Sequence, residues 1–80
     1  MKIQEAVAIR LSKLMREKNM TRYSLCKKVA MNNTTIYNIM NDRCKDVTLG
    51  TIYLICEGLD IDVIEFFNDD IFKKENLEVD

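Results

Sequence analysis

This 80-residue chain has no histidine and no proline, and it has only two glycines. Each scarcity excludes something. Without histidine a metal site would rest on three cysteines, none of which forms a C-x-x-C pair, so no metal is expected. There is also no glycine-rich phosphate loop, no G-x-S-x-G and no paired carboxylates in a discernible pocket. Catalysis and a bound cofactor are therefore not expected. Without proline, long helices run uninterrupted, and two glycines supply hairpins poorly. No apolar run approaches membrane-spanning length, and residues 1–5 do not read as a secretory leader. Three thiols cannot all pair, which fits a reducing compartment and a cytoplasmic location.

What remains is enough for one small folded domain, with 48% apolar residues and a net charge of −1. That charge hides a strong polarity. Residues 1–45 carry ten Lys/Arg against Glu5, Glu17 and Asp42, a balance of +7. Residues 46–80 carry ten acids against Lys73 and Lys74, a balance of −8. A basic half beside an acidic half suggests one face for a polyanion.

The apolar spacing is helical from end to end. Ile3, Val7, Leu11, Leu14 and Met15 lie on one side of a first helix running from about Ile3 to Asn19, with Arg10, Lys13 and Arg16 off that stripe. Ile9 points the other way, as an isolated exposed apolar residue. In residues 21–41, TRYSLCKKVAMNNTTIYNIMN, two short helices meet at a bend. Thr21 and Asn32 stand as their N-caps, and Leu25, Val29, Ile36, Ile39 and Met40 supply apolar faces. The outer stripe of the second of these helices is polar yet uncharged: Asn33, Thr34, Tyr37, Asn38 and Asn41. Asparagine is a poor helix former, so its recurrence on one face runs against local propensity. Asn33, Thr34, Tyr37 and Asn38 are the candidates for contact with base edges in a major groove. Further on, Thr48 caps a fourth helix whose core face is Leu49, Ile52, Ile55, Cys56 and Leu59, with Gly58 merely tolerated near its end. Asp62 and Glu65 suggest a capping box for a fifth helix. Cys26 and Cys56 read as buried spacers, and Cys44 as a plain surface thiol.

The ordered series Thr21, Leu25-Cys26, Val29, Ala30-Met31, Asn32 to Thr35, Ile36 and Ile39 resembles the lambda-repressor/Cro-like (XRE-type) helix-turn-helix. The likeness continues through residues 47–67. It implies an all-α, compact five-helix lambda-repressor-like domain over residues 1–72, with helices 2 and 3 forming the helix-turn-helix and 73–80 a loose tail. Ala30 replaces the glycine common at the bend. Met15 and Met40 stand where the family often has an arginine–glutamate pair, and are expected to touch. The resemblance also implies phosphate-facing positions at Thr21, Arg22, Asn32, Asn41, Arg43 and Lys45.

The function implied is sequence-specific binding of double-stranded DNA by a Cro/C1-type transcriptional regulator, a repressor in the first instance. It would act as a homodimer on a pseudo-palindromic operator, with no small-molecule effector. Ile64, Phe67, Ile71 and Phe72 are either extra core or the subunit interface. The alternative is an antitoxin or anti-repressor working through protein contacts of the acidic C-terminal half.

Overall fold

The computed structural model describes residues 1–79. Five helices follow one another: α1 Ile3–Glu17, α2 Arg22–Val29, α3 Asn33–Met40, α4 Leu49–Leu59 and α5 Val63–Phe67. Two single 3-10 turns follow, at Asp70–Phe72 and Lys74–Asn76, and there is no strand among the described residues. The five-helix expectation holds, and Asp80 of the expected tail lies outside the described residues.

Helix starts follow from their caps. The Thr21, Asn32 and Thr48 side chains each accept a backbone N–H of the first turn they precede. Asp62 does not, so the capping box expected at α5 is absent. This five-residue helix is held by burial of Phe66 and by Arg10 instead. Helix stops are made almost without glycine. Asn19, Ala30, Asp42 and Asp60 take φ between 54° and 58° at the ends of the first four helices. Asn and Asp tolerate this left-handed region, whereas Ala30 costs on the order of 1 kcal/mol relative to glycine.

All five helices contribute to one core. Val7, Leu11, Leu14 and Met15 of α1 meet Leu25, Ile36, Ile39, Ile55 and Phe66, each no more than 4% exposed. Ile9 is exposed as expected. Met15 is buried in this core and Met40 packs on it half-buried, so the two methionines serve one apolar cluster. Ile3 and Leu49 depart from expectation, at 46% and 78% exposed. Both are first residues of their helices, where side chains tilt toward the N-terminus and project beyond the packed turns. Cys26 is half-buried rather than buried. Cys44 is half-buried rather than exposed, packed on the core with its Sγ–H donating to the Asp46 carbonyl at 3.5 Å. Gly58 is required, not tolerated: a Cβ there would fall 2.5 Å from Leu25 Cδ1 and 2.8 Å from Val29 Cγ1. That close approach seats α2 on α4.

Arg10 is the largest departure. It belongs to no basic face: its side chain is buried, and its Nε–H donates to the Phe66 carbonyl at 2.7 Å. Its Nη2–H donates to the Glu65 carbonyl at 2.8 Å, and Nη1 lies 3.4 Å from Asp69 Oδ2. The segment after α5 is thereby tied to α1. The rings of Phe66, Phe67 and Phe72 complete the join, with centroids 4.9–6.2 Å apart. The Met1 ammonium donates to the Asn76 carbonyl at 3.0 Å, and the Glu78 N–H donates to the Met1 carbonyl at 2.9 Å.

Asp69 gives this join a pH dependence. Its carboxyl is held below the usual carboxylate range, first by the Ile71 N–H donated to it, against the effect of burial, and then by Lys13 and Arg10. A lowered folded-state pKa contributes stability that is present above the unfolded value of about 3.9 and is lost as pH falls below it. Denaturant titrations from pH 6 down to pH 2 should show the wild type losing more stability than Asp69→Asn, the two converging in acid. Parallel curves would remove Asp69 from the acid response.

Candidate nucleic-acid interface

The corner of α2 and α3 is built from its caps inward. At the start of α2, Thr21 Oγ1 accepts the Ser24 N–H at 3.1 Å while Ser24 Oγ accepts the Thr21 N–H at 2.9 Å. This reciprocal box fixes the direction in which the helix begins. At the bend, the Ala30 and Met31 N–H groups both return to the Cys26 carbonyl, and Met31 packs on the core. Asn32 Oδ1 then accepts the Thr34 N–H at 2.7 Å and opens α3. Ile36 and Ile39 bury the inner face of that helix. The corner is thus rigid at three points before any ligand is considered.

The outer face of α3 is exposed where the sequence places it. Asn33, Thr34 and Thr35 are exposed, Asn38 is half-buried, and none of the candidate base-facing residues points into the core. Thr34, Asn38 and Asn41 follow one another on a single stripe of the helix surface opposite Ile36 and Ile39. Thr35 shares the exposure and was not singled out from sequence; its type alone distinguishes it little from Thr34. Tyr37 stands differently. It is half-buried, with the Arg22 guanidinium 4.8 Å and the Arg43 guanidinium 5.4 Å from its ring centroid.

The expected phosphate-facing residues divide into two kinds. Thr21, Asn32 and Asn41 use side-chain atoms on the fold itself, the first two as N-caps and Asn41 by donating to the Tyr37 carbonyl at 2.8 Å. The backbone N–H groups of Thr21 and Asn41 are taken up as well, by Ser24 Oγ at 2.9 Å and by the Tyr37 carbonyl at 3.0 Å. Arg22, Arg43 and Lys45 are cations with no carboxylate pair among the described residues. Arg22 is the first residue of α2, where the helix dipole also favours an anion. Arg43 and Lys45 lie in the loop after α3. Lys27 adds a further cation, set over the Tyr23 ring at 5.3 Å. Of these cations, Arg22 and Arg43 meet on α3 itself, at the Tyr37 ring beside the uncharged outer side chains. No three Cys, Asp or Glu side chains group as metal ligands among the described residues.

A family model described as the Cro/C1-type HTH DNA-binding domain matches residues 10–70. Among solved structures the chain is similar to a tyrosine-to-phenylalanine variant of the restriction-modification controller protein C.Esp1396I. The TM-score is 0.76 at 28% identity, over 84% of this chain and 86% of that one. It is also similar to the C.Esp1396I tetramer in complex with its natural 35 base-pair operator, with TM-score 0.75 and 28% identity over 80% and 83% of the two chains. The wild-type controller protein gives TM-score 0.74 at 28% identity, over 80% and 82%. No curated protein matches the chain.

Proposed function

The chain belongs to the Cro/C1-type helix-turn-helix DNA-binding domain family, and we propose that it is a transcriptional regulator that reads a specific duplex operator with α3. The observation that carries this reading is the uncharged Asn33–Thr34–Asn38 edge, exposed at Asn33 and Thr34 and half-buried at Asn38. The guanidiniums of Arg22 and Arg43, which pair with no carboxylate among the described residues, are held at the Tyr37 ring beside it. Asparagine can form two bonds with adenine, and threonine offers a hydroxyl and a methyl to thymine. Arg22, Arg43 and Lys45 hold the phosphates on either side, and the exposed helix ends at Thr21, Asn32 and Asn41 lie against the same backbone.

The DNA-binding unit spans residues 1–72, acts in the cytoplasm and represses by occupying its operator. It binds a pseudo-palindromic site as a homodimer, which places two α3 helices in successive major grooves. Of the dimer candidates, Ile64 supports this best, at 83% exposed on α5. Ile71 is half-buried, as are Phe67 and Phe72, which sit in the three-ring cluster packed against the core. C.Esp1396I is a tetramer on its operator, and an operator-bound oligomer is proposed for this chain by likeness. Among the described residues no helix is long and apolar enough to cross a membrane.

Selection of bound sequences from a random DNA pool tests the reading. The wild type should enrich one pseudo-palindromic site. Asn33→Ala and Asn38→Ala should each relax preference at one position per half-site, a loss of about 1–3 kcal/mol of discrimination. Enrichment profiles unchanged by both substitutions would show that α3 does not read the bases.

A further inference from the structure

Four helices of this chain end on one backbone device. After the left-handed residue that closes each, the next N–H donates back into the last turn: Met20 to Met15 at 2.9 Å, Met31 to Cys26 at 3.3 Å, Arg43 to Asn38 at 2.8 Å and Ile61 to Cys56 at 3.0 Å. In this motif the returning residue ordinarily brings an apolar side chain against the helix it has just left. Met20, Met31 and Ile61 do so, each packed on the core. The fourth position is an arginine. Its partner in the preceding turn is Tyr37, whose ring centroid lies 5.4 Å from the Arg43 guanidinium carbon. Arg22, arriving from the start of α2, approaches the same ring at 4.8 Å.

We propose that Tyr37 is a positioning residue whose ring holds Arg22 and Arg43 as one preformed clamp for backbone phosphates. The proposal rests on the DNA-binding reading and deepens it by replacing base contact by Tyr37 with an organising role. An aromatic face attracts a guanidinium electrostatically but accepts none of its in-plane hydrogen bonds. All five N–H donors of each arginine therefore stay free for phosphate oxygens, which a carboxylate partner would have occupied. The ring also offsets the repulsion of two neighbouring cations. Because both long side chains are already placed, less of their freedom is lost when DNA binds. The phenol hydroxyl takes no part in this, so the ring is what matters.

Tyr37→Phe and Tyr37→Leu separate the roles. Without DNA, the side-chain NMR signals of Arg22 and Arg43 should show ring-current shifts in the wild type and in Tyr37→Phe, and lose them in Tyr37→Leu. Binding is then measured across a salt series to a duplex selected by the protein from a random pool and to an unselected duplex. Tyr37→Phe should bind both within about twofold of wild type, whereas Tyr37→Leu should weaken both by roughly tenfold, leaving their ratio unchanged. Thermal unfolding confirms that each variant is folded at the assay temperature.

Loss confined to the selected duplex would make Tyr37 a base reader and overturn the proposal. Equal losses for Phe and Leu would assign the effect to the hydroxyl, with the same consequence. A wild type that binds and a Leu variant that matches it would overturn the positioning role alone. A wild type that binds neither duplex would overturn the DNA-binding reading itself.

Discussion

An Arg10→Met variant is expected to lose about 2–4 kcal/mol of stability, and its melting temperature should fall by roughly 10–25 °C. Methionine keeps most of the apolar stem, so the loss reports the guanidinium. Two carbonyls at the end of α5, those of Phe66 and Glu65, would lose their Arg10 donors at 2.7 and 2.8 Å. Glu65 keeps the Asn68 N–H at 3.2 Å, so the Phe66 carbonyl is the one left unpaired. Carbonyls at a helix C-terminus have no partner in their own helix and are costly to leave unpaired once buried. Asp69 would lose one of its two cations while keeping Lys13 at 3.3 Å. The companion variant Lys13→Ala, altering an exposed partner of the same carboxylate, should change stability by at most about 1 kcal/mol. Below its melting temperature Arg10→Met should bind DNA as wild type does, because its guanidinium is committed to α5. A melting temperature within about 3 °C of wild type would show that the tie is replaceable, and selective loss of DNA affinity would return Arg10 to the basic face.

The contrast between Arg10 and its neighbours shows what the sequence could and could not reveal. Val7, Leu11, Leu14 and Met15 were legible because helical burial repeats with a local period. Thr21, Asn32 and Thr48 were legible because a cap is satisfied within its own first turn. Arg10 answers to a carbonyl 56 residues away, and no local pattern announces such a partner. Counting it among the basic residues overstated the charge available to a polyanion.

Gly58 misled for a related reason, since its need for a bare Cα comes from Leu25 and Val29 on another helix. The outer face of α3 was legible because asparagine recurred there against helix propensity. Tyr37 looked like one more member of that stripe. Its actual neighbours come from the start of α2 and the loop after α3, and only the folded corner brings them together. One signal was available: the position after each left-handed residue is Met20, Met31 and Ile61, but Arg43 after Asp42.

The doubly substituted protein Arg22→Ala/Arg43→Ala should lose affinity for its selected duplex by on the order of a hundredfold at 0.1 M salt. Each arginine that neutralises a phosphate contributes about 0.9 to the slope of log affinity against log salt, or on the order of tenfold at that concentration. The slope itself should therefore fall by about 1.8. An unselected duplex should lose affinity equally, because phosphates carry no sequence information. The preferred bases should be unchanged, since Asn33, Thr34 and Asn38 remain in place on a helix seated by Ile36 and Ile39. Lys73→Ala removes one charge from a site where Nζ lies 3.5 Å from Asp70, in the segment after α5, and should leave the slope as it is. A double variant whose slope matches wild type would mean that these two cations face water rather than DNA. The positive charge responsible would then have to be sought at Lys27, Lys28 or Lys45, each tested by the same salt series.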